Sequence, residues 1–226
     1  MRRRLGALGI GGIAGLVLAA GALAAAVTVG ASALTVSSKT LTTGSCTLNT
    51  TAQGSDAYTQ QDQAAKATSA STTTIVDTAT NKVNYTWLQF DLAQCSGLTG
   101  DAQVSSARLT LSIKSTQTNL GTRTLRLDPA AAAWTDSTVT WNNQPGVTSR
   151  TPAVTFSVNA AGFVQIDVTQ DLAAWRSTAT YGGSTNYGWR VSDLGSGSGT
   201  CCQTQINALN NGTASVRPSL LIGYAG

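Results

Sequence analysis

The chain contains no His and no Glu, its only Met opens it, and all ten acidic residues are Asp. Without imidazole there is no Ser-His-Asp or Cys-His nucleophilic system and no His-bearing metal site. Charge is scarce as well. Charged residues make up 11% of the sequence, where an average soluble protein carries roughly a quarter, which excludes a charge-rich disordered tail and a Glu/Lys helical bundle. Pro occurs only 4 times and Gly 23 times, and Thr with Ser fills a quarter of the chain. That mixture favours β-strands joined by tight turns.

Arg2, Arg3 and Arg4 precede an apolar, Gly- and Ala-rich run from Leu5 to Val29, and Ala31-Ser32-Ala33 follows as an A-x-A pattern. Together they read as a secretory signal peptide over 1–33, and hence a secreted, extracellular product. The apolar run would also span about 30 Å of hydrocarbon as a helix, so an uncleaved anchor stays open as the alternative, and a membrane is a partner only in that case. Small residues ahead of the polar Ser37-Ser38-Lys39 stretch favour cleavage. The formal charge is +4, from 14 basic and 10 acidic residues; without the three leader arginines 11 basic residues face 10 acidic ones, a net of +1. A near-neutral domain offers no electrostatic case for nucleic acid as a partner.

Cys46, Cys95, Cys201 and Cys202 form an even set. In an exported chain the default is two disulfides. Joining Cys201 to its neighbour Cys202 needs a distorted ring, so the expected pattern bridges each of them to Cys46 and Cys95 and ties the N-terminal region to a late loop. With no CxxC and no His, no metal site is read.

Beyond the leader, residues 34–54 are polar and Thr-rich, a lead-in segment or first edge strand, and 55–226 suffice for one domain with a sizeable core. Period-two alternation recurs there. Val104, Ala107, Leu109, Leu111 and Ile113 oppose Arg108, Thr110, Ser112 and Lys114, and similar patterns cover Leu125 and Leu127, Val154 to Val158, and Val164 to Val168. Leu88, Phe90 and Leu92, then Trp189 and Val191, then Leu220, Ile222 and Tyr224 extend the series. The expected fold is all-β, an antiparallel, jelly-roll-like β-sandwich. One short helix interrupts it: Asp167 is placed to cap a turn in which Val168, Leu172 and Trp175 share a face, with Trp175 expected buried.

Four separate signatures are recognisable: Trp134-Thr-Asp-Ser-Thr-Val-Thr-Trp141-Asn142-Asn143-Gln-Pro145, then Val164 to Thr169 leading into Ala174-Trp175, then Asn186-Tyr187-Gly188-Trp189, and Arg217-Pro218 to Tyr224. With Ser55-Asp56-Ala57-Tyr58 and Trp87-Leu-Gln-Phe90-Asp91-Leu92 ahead of them, they resemble the DNRLRE domain, also classed as carbohydrate-binding module family 96. The resemblance implies an all-β sandwich in secreted proteins, some of which bind acidic polysaccharides. The segment that gives the family its name falls near Gln205-Ile206-Asn207-Ala208-Leu209, here without its Arg and Glu.

Carbohydrate recognition stacks aromatic faces on sugar C–H surfaces and adds amides, carboxylates or guanidiniums for hydroxyl and carboxylate groups. Candidate binding residues are therefore Tyr181, Tyr187 and Arg190 around a Gly-rich loop, Asn142 and Asn143 beside Trp141, and the outward Arg126 and Lys114, with Arg108 of the same kind. The competing structural reading makes Trp134, Trp141, Trp175 and Trp189 core and the cations ordinary solvated strand positions. Asp77, Asp91, Asp101, Asp128, Asp136, Asp167 and Asp193 are scattered rather than paired as glycosidase carboxyls are. Their strand-end positions suit turns, with a structural Ca²⁺ as a minority alternative. The sequence thus points to a non-catalytic module that binds a polysaccharide or cell-surface polymer and needs no cofactor. The alternative is a surface structural or adhesive sandwich without glycan specificity.

Overall fold

Alternation becomes strand pairing along most of the chain. The computed structural model describes residues 23–30, 33–40, 43–98, 102–116, 122–176, 185–195 and 203–226. The chain divides into two units, Met1–Thr42 and Thr43–Gly226. In the first, β1 (Leu23–Gly30) pairs antiparallel with β2 (Ala33–Thr40). β1 falls inside the expected leader, and β2 begins at the leader's last residue and runs into the polar segment after it. No helix among the described residues is long and apolar enough to cross a membrane.

The second unit contains β3 (Thr43–Leu48), β4 (Gly54–Gln60), β5 (Thr73–Val76), β6 (Asn84–Phe90), β7 (Gln103–Thr116), β8 (Arg123–Pro129), β9 (Val154–Val158), β10 (Gly162–Asp167), α1 (Thr169–Arg176), β11 (Trp189–Asp193), β12 (Thr204–Asn207) and β13 (Ser219–Ala225). They form two antiparallel sheets. The five-stranded sheet runs β4-β6-β11-β8-β9, and the six-stranded one is organised around β7, which pairs with β13, β12 and β10 while β3 flanks β13 and β5 flanks β12. Among the described residues the expected all-β architecture with one short α-helix is what the chain adopts.

Because successive side chains of a strand point to opposite faces, the alternating apolar set meets between the sheets. Leu109, Leu111, Ile113, Ile166, Ile206, Leu220 and Ile222 from one sheet share a single core with Leu88, Phe90, Leu125, Leu127, Val158, Trp189 and Val191 from the other. Each such side chain contributes about 1.5–3 kcal/mol on burial. The helix forms where expected. Asp167 Oδ1 accepts the Thr169 N–H at 2.9 Å, and Val168 and Leu172 are fully buried. Trp175 differs from expectation: it is half-buried, with its ring tilted against that of Trp189 at 4.7 Å. It stands in the last turn of the helix, where its ring borders two surface hollows that leave it partly open.

The cysteine pattern is also corrected. Cys46 on β3 bonds Cys95, with Cα atoms 5.8 Å apart, so neither is left for the expected bridges to Cys201 and Cys202. Those two lie outside the described residues. The physical reason is that β3 runs beside β13, where the chain leaving β6 also passes. That chain turns through a short 3-10 segment, Leu92–Gln94, capped by Asp91, whose Oδ1 accepts the Ala93 N–H at 3.0 Å. Tyr224 seals the junction, its ring lying so close to Gly97 that a Cβ there would sit 1.8 Å from the Tyr224 hydroxyl. The bond staples an edge strand of one sheet to the exit of a strand in the other.

Candidate functional site

The outer face of the five-stranded sheet is set by register. Arg190 lies opposite Trp87 on β6 and opposite Asp128 on β8, so Trp87, Arg190 and Asp128 emerge together, with Tyr85 two residues from Trp87 and Arg126 two from Asp128. Segment 130–150, anchored by the Ala130–Val147 bridge, folds over part of this face. Trp134 packs on Trp87 with ring centroids 6.2 Å apart and donates its Nε1–H to the Tyr187 carbonyl at 2.8 Å. The Thr59 hydroxyl receives the Trp87 Nε1–H at 3.3 Å and donates to Gln144 Oε1 at 2.8 Å. With Ala57, Ala130 and Val139 these groups make a second small core outside the sheet, which is why Trp87 is fully buried although it points outward.

At the margin of that cover lies a row of polar and aromatic groups. Trp141 stacks on Tyr85, centroids 5.3 Å apart and planes 22° from parallel. The Arg190 guanidinium also lies against Tyr85, its Cζ 4.4 Å from the ring centroid. Asp128, 1% exposed, holds two cations: its Oδ1 accepts from Arg126 Nε at 2.6 Å, and its Oδ2 is 3.4 Å from Arg190 Nη2. Two guanidiniums on one carboxylate leave the row with one net positive charge. The carboxylate fixes both cations before any ligand arrives, while Arg126 and Arg190 stay partly open, their side chains 30% and 19% exposed. Cation–π contact with Tyr85 adds to that fixing, by about 0.5–2 kcal/mol.

The residues expected from sequence separate into groups. Arg190 and Arg126 belong to the row. Asn142 and Asn143 are exposed beside Trp141. Asn143 spends its amide on the turn, accepting the Thr140 N–H at 2.7 Å and donating to the Thr138 carbonyl at 2.9 Å, so of the two Asn142 is the one available to a ligand. Tyr187 is half-buried against the small outer core and lines a cavity of about 290 Å³ with Pro129, Arg150 and Trp175. Lys114 emerges on the other sheet, its Nζ 3.3 Å from Thr73 Oγ1. Tyr181 lies outside the described residues. Of the four tryptophans, Trp189 is fully buried, and Trp134, Trp141 and Trp175 are half-buried. Tyr85 and the role of Asp128 were missed. The alternation Tyr85-Thr86-Trp87-Leu88 carried the first signal, since it puts Tyr85 and Trp87 on one face.

Most remaining carboxylates serve the fold. Asp171 accepts the Trp189 Nε1–H at 2.6 Å and pairs with Arg150. Asp193 accepts from Arg123 Nε at 2.8 Å, both residues buried. Asp77 binds the Ala79 N–H at 2.8 Å, and burial pushes its carboxyl up. Asp167 is held below the usual range, first by the Thr169 hydroxyl and then by the Thr169 N–H. Asp56 is the most perturbed. Burial pushes it up to about 7, against the lowering pull of the Leu209 N–H at 2.7 Å.

The sequence model of carbohydrate-binding module family 96 matches residues 47–223, most of the chain and nearly all of the second unit. No curated protein matches the sequence.

Proposed function

We propose that this chain, which belongs to carbohydrate-binding module family 96, is a secreted, non-catalytic protein that binds an extracellular polysaccharide on the outer face of its five-stranded sheet. The observation that carries the reading is the row Trp141, Tyr85, Arg190, Asp128 and Arg126. A sugar ring stacks on the half-exposed Trp141, whose indole is held parallel to Tyr85. The remaining N–H groups of Arg190 and Arg126 take hydroxyls and ring carboxylates, and Asn142 supplies an amide at the rim. Because Asp128 and Tyr85 already fix the guanidiniums, little side-chain entropy is lost on binding. The single net charge favours a carboxylate-bearing polymer over a neutral one and makes binding salt-sensitive. Secretion accords with the leader pattern and with a structural disulfide, which persists in oxidising compartments.

The test is affinity electrophoresis through gels containing neutral and uronic polysaccharides, with Trp141→Ala and Arg190→Ala alongside the natural chain. The expected result is retardation in at least one uronic gel, weakened about tenfold by either substitution, the range of a loss of roughly 1.4 kcal/mol at a binding hot spot. Migration unaffected by every polymer would overturn the reading and leave the adhesive alternative standing.

A further inference from the structure

The two sheets treat their outer faces differently. Segment 130–150 covers much of one, whereas on the six-stranded sheet the outward residues Thr43, Ser45, Thr47, Arg108, Lys114, Phe163, Gln165 and Leu221 are all exposed. Phe163, at 60%, is the most exposed large hydrophobic side chain among the described residues, and Leu221 on the same face is 48% exposed. A single outward Phe is unremarkable in itself. What lies beside this one is a pair of exposed cations, Arg108 and Lys114, with the exposed amide of Gln165.

Phe163 on β10 sits opposite Ser112 on β7. Both Ser112 and Asn207 are buried beneath it, the Ser112 hydroxyl accepting from Asn207 Nδ2 at 2.9 Å and Asn207 Oδ1 accepting from Asn211 Nδ2 at 3.1 Å, which fastens β7 to β12. Asn207 lies opposite Thr73 on β5, whose hydroxyl meets Lys114 Nζ. From Phe163 to Thr73 the face crosses β10, β7, β12 and β5, a width of about 14 Å at ordinary strand spacing. Four residues back along β7, Arg108 donates to Gln165 Oε1 at 3.0 Å and borders a hollow of about 260 Å³ with Ser106, Asp167 and Leu221. The cations here are Arg108 and Lys114. The facing anion, Asp167, already accepts hydrogen bonds from Thr169. The face therefore carries an exposed aromatic surface in Phe163, the exposed amide of Gln165, and a positive bias from Arg108 and Lys114.

We propose that this face is a second polysaccharide-binding surface, taking an acidic polymer strand across Phe163 and Lys114, so that one domain grips two strands on opposite sides of its sandwich. The inference rests on the proposed function in its choice of polymer. The two faces point away from each other, so a straight strand reaches only one of them. Simultaneous binding makes the domain a cross-linker, whose bridging gains from effective concentration rather than from new contacts.

Isothermal titration of the full domain with a short oligomer of a polyuronate tests it, using the natural chain, Phe163→Ser/Lys114→Ala and Trp141→Ala/Arg190→Ala, each checked for an unchanged unfolding midpoint. The expected stoichiometry is two for the natural chain and one for either double variant. In parallel, the natural chain should raise the turbidity of the long polymer at least fivefold over either variant. A stoichiometry of one that Phe163→Ser/Lys114→Ala leaves untouched and Trp141→Ala/Arg190→Ala abolishes would overturn this inference and spare the first face. The opposite pattern would remove the first face and likewise overturn the two-strand grip, leaving a single site on the six-stranded sheet. No binding by the natural chain to any polymer would remove both.

Discussion

Raising the pH from 5 to 8 should cost the domain about 3 kcal/mol of stability through one side chain, Asp56. This carboxyl lies on β4 but turns inward, 4% exposed, and accepts the N–H of Leu209, which is 153 residues away in sequence. Its affinity for a proton rises from 3.8 to about 7, because burial penalises the charged form more than the Leu209 N–H rewards it, with Asp136 adding repulsion. The fold thus holds this proton more tightly than the unfolded chain does. The resulting stabilisation is complete below about 3.8 and is lost as pH rises through about 7. It amounts to about 4 kcal/mol over the whole span, of which about 3 falls between pH 5 and 8. For a domain of this size that is a fall in Tm of about 6–12 °C. Asp77 is shifted in the same direction by its burial, whereas Asp167 is shifted down and loses its contribution only on acidification below the ordinary Asp range. Asp56→Asn separates the effects, since the amide oxygen still accepts from Leu209 and carries no titrating proton. Urea unfolding at pH 5, 6, 7 and 8, at fixed ionic strength, should show a steep decline for the natural chain and a much flatter one for the variant. Parallel profiles, or a natural chain that gains stability toward pH 8, would refute the assignment.

Two further outcomes follow from the packing. Peptide mapping without reductant should recover a fragment joining Cys46 to Cys95 and none joining either to Cys201 or Cys202. Replacing Cys46 and Cys95 by Ser should cost about 4 kcal/mol in the chain-entropy account of a loop spanning 49 residues, read as a lower urea midpoint. Gly188→Ala should lower the midpoint as well, by at least about 1–3 kcal/mol. Gly188 has φ +74°, and a Cβ there would lie 2.2 Å from the Leu88 carbonyl oxygen, so both backbone strain and a clash with rigid backbone oppose it. An Ala variant as stable as the natural chain would show that β6 and the start of β11 are not held as closely as described.

The strands were legible because their signal is local. Leu109, Leu111 and Ile113, or Leu125 and Leu127, declare an inner face through spacing alone, and Asp167 declares a helix start two residues before the N–H it binds. The candidate site was legible only in pieces. Arg126 and Arg190 could be read as outward cations, but nothing near them in sequence says that Asp128 joins them or that Tyr85 lies under Arg190. Lys114 follows the same outward rule and lands on the other sheet. Trp87 shows the limit of alternation itself: it points outward and is still fully buried, because segment 130–150 returns over it.

By itself, then, the sequence determined the all-β class, the single capped helix, the family signatures, and a chemistry confined to aromatic faces, amides, hydroxyls and a few cations, since the chain has no His or Glu to offer anything else. Those properties depend on residue type and on spacings of two to seven positions. Tertiary structure alone decided that Cys46 meets Cys95, that Asp56 reaches Leu209, and that outward cations divide between two opposite faces. Each of these depends on which strands become neighbours, and that is settled by how the whole apolar set packs between two sheets rather than by any local pattern.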